Sequence, residues 1–143
     1  MSSVRRIVVG TDFSEGAEQV LLRAVALAAD WGASVVLAHA YEDQSAQPIS
    51  DRQDSLRAHL DALAARSGAA ERGVEVETVL RRGAPWEKLL NLAADSGADL
   101  IVVGSRGQRG ELRGGLLGSV TTRLVAMSCR AVLVVPPDPE PCS

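Results

Sequence analysis

The chain has 143 residues, enough for one domain that buries roughly two-thirds of its unfolded surface, so no staple is required for folding. Apolar residues make up 46% and aromatics only 3%, which makes the core aliphatic. A formal net charge of −3 argues against general nucleic-acid binding; the two cysteines form no C-x-x-C pair, and no apolar run approaches the ~20 residues of a membrane helix.

With no signal peptide to be seen, the expectation is a cytoplasmic protein with neither nucleic acid nor membrane as partner. The predicted elements alternate. Residues 5–10 hold the run Ile7, Val8, Val9, as in a strand buried on both faces. Residues 11–14, Thr-Asp-Phe-Ser, form a turn in which Asp12 or Ser14 can cap the helix that follows. From Ala17, the spacing of Val20, Leu21, Ala24, Leu27, Ala28 and Trp31 predicts an amphipathic helix stopped by Gly32.

Residues 34–41 are the second strand and 42–50 a polar loop with Pro48. A helix over 51–66 puts Leu56, Leu60 and Leu63 on one face. Residues 74–80 alternate apolar with polar, predicting an edge strand closed by Arg81, Arg82 and Gly83. Pro85 opens a helix that buries Trp86, Leu89, Leu90, Ala93 and Ala94 and ends at Gly97. Strand four spans 99–103, a helix 119–128, and strand five 131–135. The reading is one domain over 1–137, with a proline-rich, disordered tail over 138–143.

Strict strand–helix alternation implies an α/β domain: a five-stranded parallel sheet, doubly wound, in the order 3-2-1-4-5. Ligands on such sheets bind beyond the carboxyl ends of the strands, at the switch point. Three segments collect there: Gly10, Thr11 and Asp12 after strand one, His39 and Ala40 ending strand two, and a glycine-rich stretch after strand four. That stretch, 104–118, carries six glycines with Arg106, Arg109 and Arg113, and it leads into a helix. A basic, glycine-rich loop ending at a helix start is suited to cradling an anion, and equally to joining a strand to a helix. There is no Walker loop, and Gly10-Thr11-Asp12 is not the G-x-G-x-x-G of a dinucleotide site.

The pattern Gly104-x-x-Gly107, ten residues, Gly118-Ser119 resembles the universal stress protein family, whose motif is G-x-x-G, nine residues, G-[ST]. The resemblance extends to residues 11–14, to Leu37-Ala38-His39-Ala40 and to residues 131–136, and spans 4–137. It implies a flavodoxin-like sandwich that binds ATP, with a magnesium ion held by the phosphates. Asp12 then sits by the ribose and phosphates, and Ala40 lines the adenine pocket with Val103 nearby. Gly104, Arg106, Gly107, Gly118, Ser119 and Val120 surround the ribose and phosphates. It also implies a homodimer through antiparallel pairing of Ala131–Val135. The interval between Gly107 and Gly118 is one residue longer than the family's pattern, which bears on the phosphate cradle more than on the fold.

Other readings stay open beside these. Asp12 serves equally as a helix cap, His39 as a locally bonded strand residue, His59 as a solvated one, Trp31 and Trp86 as packing, and Cys129 as a small buried hydrophobe. The expected function is an ATP-binding stress-response or signalling module. The alternatives are a nucleotide-free dimeric interaction protein, and a slow ATPase or self-phosphorylating protein using Ser119, Thr121 or Thr122.

Overall fold

A computed structural model describes residues 4–42, 49–105 and 118–136. The elements run β1 (Arg6–Gly10), α1 (Ala17–Trp31), β2 (Ser34–Tyr41), α2 (Ile49–Ala65), a 3-10 turn (Ala70–Arg72), β3 (Val76–Arg82), α3 (Pro85–Ser96), β4 (Leu100–Gly104), α4 (Ser119–Met127) and β5 (Ala131–Val135). The strands form one sheet in the order β3-β2-β1-β4-β5, and every neighbouring pair is parallel. This is the doubly wound parallel sheet that the alternation predicts, and the flavodoxin-like sandwich that the family resemblance implies.

Side chains alternate across the sheet, so each central strand feeds two cores. Ile7, Val9, Val35, Leu37, Leu100 and Val102 pack under α1 and α2. Val8, Val36, Ala38, Ile101 and Val103 pack under α3 and α4, against Leu89, Leu92, Ala93 and Leu124. Burial on both faces explains the unbroken apolar runs of β1 and β4. β3 lies at one edge, with Glu77, Arg81 and Arg82 exposed, and β5 at the other. α1 and α3 end at Gly32 (φ 68°) and Gly97 (φ 69°), in the left-handed conformation that closes a helix without steric cost in glycine.

Several boundaries move. α2 begins at Ile49 rather than at 51. β3 is displaced to Val76–Arg82 because its register with β2 runs from Val35↔Val76 to Tyr41↔Arg82; Arg81 and Arg82 are therefore strand residues, not a closing turn. In α3, Leu92 is buried and Ala94 exposed, since positions 89, 92, 93 and 96 share the inward stripe. Trp31 is 39% exposed at the last turn of α1, so it does not pack between helix and sheet. Cys129 is exposed in the connection between α4 and β5, not buried.

Candidate functional site

β1 has neighbours on both sides, reached by chain connections that leave in opposite directions, so a crevice opens at the carboxyl ends of β1 and β4. The cleft there is lined by Gly10, Thr11, Asp12, Ala38, Ala40, Val103, Gly104, Gly118, Ser119 and Val120, with Ser14, Ala17, Val20, Pro85, Leu89 and Thr121. Three segments far apart in sequence thus meet in one cleft. Arg106 and Gly107, and with them Arg109 and Arg113, lie outside the described residues. His39 does not line the cleft: on β2 it points to the face opposite Ala38 and Ala40.

The first wall is the turn over residues 11–14. Thr11 donates its N–H to the Ala38 carbonyl (2.9 Å), which continues the β1–β2 pairing past the strand end. The Asp12 carboxylate accepts the Ser14 N–H (2.9 Å), and the Thr11 hydroxyl accepts the Phe13 N–H (3.2 Å). Asp12 is therefore not the cap of α1. That position belongs to Gly16, without a side-chain bond, and the Ser14 carbonyl takes the Ala17 N–H at 3.0 Å. Phe13 adopts φ 59°, a left-handed conformation that costs a non-glycine residue ~1 kcal/mol. Its ring is held between His39 (centroids 4.5 Å apart) and His59 (5.0 Å), so His59 is an exposed residue with a packing role.

The second wall is the start of α4. Gly118 is the N-cap, in extended conformation, and offers no side chain to the free N–H groups of the first turn. Those donors and the helix dipole favour negative charge in front of them. The turn is fixed from behind. Thr121, 3% exposed, donates its hydroxyl to the Gly104 carbonyl at 2.6 Å, tying α4 to the end of β4. The Gly118 N–H donates to the Ser105 carbonyl (2.8 Å), and the Ser105 N–H to the Val135 carbonyl (3.0 Å). The Thr122 hydroxyl, also exposed, bonds the Gly118 carbonyl at 2.9 Å, and Ser119 adds a second exposed hydroxyl at this helix start.

The floor is apolar and small. Gly10 fits closely there: a Cβ on it would lie 2.6 Å from Leu89 Cδ1 and 3.3 Å from Val103 Cγ1, so the end of the Leu89 side chain would have to shift. Ala38, Ala40 and Val103 line the floor beside the two polar walls. Ala17, Val20, Pro85 and Leu89 are cleft residues that the sequence reading did not place there, and Thr121 entered it only as an alternative phosphate acceptor, not as a tie to β4. Thr121 has a legible signal: it falls two residues after Ser119, where the first helical turn folds back on the preceding strand. Among the described residues no group of three or more His, Cys, Asp or Glu could hold a metal ion. No helix of the described residues is long and apolar enough to cross a membrane.

Sheet order and cleft together define a doubly wound α/β domain with a cleft at its switch point. The chain belongs to the Universal stress protein family, whose profile matches residues 3–136. It is 32% identical over 148 residues to universal stress protein Rv1636 of Mycobacterium tuberculosis, covering 94% of this chain and 98% of that one. Among solved structures, protein MJ0577 of Methanocaldococcus jannaschii superposes with a TM-score of 0.75 at 28% identity, over 96% of this chain and 99% of that chain. A universal stress protein solved in complex with cAMP gives a TM-score of 0.76 at 33% identity, over 96% and 100%.

Proposed function

We propose that this chain binds ATP in the cleft and acts as a nucleotide-responsive stress-signalling module of the cytoplasm. One observation carries the reading: an uncapped helix N-terminus faces an apolar pocket bordered by a fixed carboxylate. A nucleotide needs that combination. The base would lie against Ala40 and Val103, the ribose beside Asp12, and the phosphates before the N–H groups of Ser119 and Val120, with Arg106 and Gly107 completing the cradle. The magnesium ion would be held by the phosphates. The relative solved with cAMP supports an adenine nucleotide as the ligand class.

Calorimetric titration of the purified chain with ATP and magnesium tests the reading. Saturable heat is expected, and Ser119→Ala should weaken binding by roughly 1–2 kcal/mol, the loss of a hydrogen bond to a charged group. Absence of heat at millimolar ATP would remove the nucleotide reading. A role as a dimeric interaction protein would then take its place, favoured by the apolar edge strand β5.

A further inference from the structure

His39 faces away from the cleft, yet it reaches the acidic wall through the backbone. The Thr11 N–H is taken by the Ala38 carbonyl at 2.9 Å, and the Thr11 carbonyl lies 2.7 Å from His39 Nδ1. A carbonyl only accepts, so Nδ1 carries the proton in this bond. Consecutive residues of β2 therefore hold both backbone polar groups of Thr11, and the next residue along the chain is Asp12. Phe13 closes the arrangement from above, its strained backbone (φ 59°) supported by the His39 ring at 4.5 Å.

We infer that His39 is a positioning residue for the ligand cleft, holding the turn over residues 11–14, and with it the Asp12 carboxylate, in binding geometry through the Thr11 carbonyl and the Phe13 ring. The identity of the ligand rests on the nucleotide reading above. The imidazole also links the site to pH. Burial pushes its pKa below the ordinary 6.5; the Thr11 bond and Asp12 oppose this, while Arg52 and His59 on α2 add to it. A depressed pKa means that the opened turn takes up a proton more readily than the closed turn. The closed turn is thus fully supported above about pH 6.5 and loses support as the pH falls below it.

The test compares the full chain with His39→Leu, which keeps apolar bulk and loses the donor, and His39→Asn, whose amide can donate to the Thr11 carbonyl. At about pH 7.5, His39→Leu should weaken ATP binding about tenfold and His39→Asn should stay within about threefold of the parent. Between about pH 7.5 and 5.5, the parent should lose affinity more steeply than His39→Asn; protonation of the ligand is common to both and cancels. His39→Leu binding like the parent, or His39→Asn reproducing the parent's pH profile, overturns the inference. Should the parent bind no ATP, only the nucleotide reading fails, and amide exchange at Phe13 and Ser14 decides instead. Faster exchange in His39→Leu than in the parent and His39→Asn upholds the role of His39, and equal rates overturn it.

Discussion

At the scale of single residues, the cleft shows how one position can serve packing and site together. Gly10 admits α3 against β1 and also leaves the cleft floor open, so its absent side chain is explained before any ligand is considered. Thr121 has the same double character. Thr121→Val keeps shape but strands the Gly104 carbonyl, which should cost ~1–3 kcal/mol, visible as a lower denaturant midpoint with an unchanged slope. A midpoint equal to that of the parent would mean that water satisfies the carbonyl. Asp12 was legible as a turn residue, but its hydrogen-bond partner was not. Whether a carboxylate accepts from the residue two along or from a helix start depends on where the helix begins, and Gly16 rather than Ser14 occupies the cap.

At the scale of elements, α4 trades helix stability for access. Serine at an N-cap is better than glycine by a few tenths of a kcal/mol. Gly118→Ser should therefore leave the thermal midpoint equal or slightly raised while lowering ATP affinity, because the new side chain enters the space before the first N–H groups. A fall in both quantities would show that Gly118 is needed for packing instead. Helices and inner strands were legible because period and burial agree along them. β3 was placed two residues early because its ends are set by pairing with β2, which no local pattern in 74–82 records. Cys129 and Trp31 were misplaced for a related reason: each sits at an element end, where apolar character no longer implies an inward direction.

At the scale of the whole molecule, the two sheet edges differ. β3 presents Glu77, Arg81 and Arg82, charges that discourage pairing, whereas β5 is Ala-Val-Leu-Val-Val. A two-fold dimer through β5 is the expected assembly. Light scattering should give twice the chain's 15.0 kDa, and Val134→Lys should return it to a monomer. A parent that scatters as a monomer at micromolar concentration would refute this. Topology and the meeting of three segments were legible from alternation alone, since few doubly wound arrangements satisfy right-handed crossovers. The support behind the cleft was not, because Thr121 and His39 bond to backbone carbonyls and Ser105 bonds through its own backbone, and such partners are present in any sequence.

The bond from the Gly118 N–H to the Ser105 carbonyl has a consequence for how this chain tolerates change. It fastens together the two ends of a twelve-residue segment, 106–117, so the anchors of that segment do not depend on what it contains. Lengthening a closed segment from eleven residues to twelve costs only ~0.1 kcal/mol of closure entropy, far below the ~1 kcal/mol of one hydrogen bond at its base. Insertion here is close to neutral for the domain, which makes the segment a place where length can change without rebuilding the sheet.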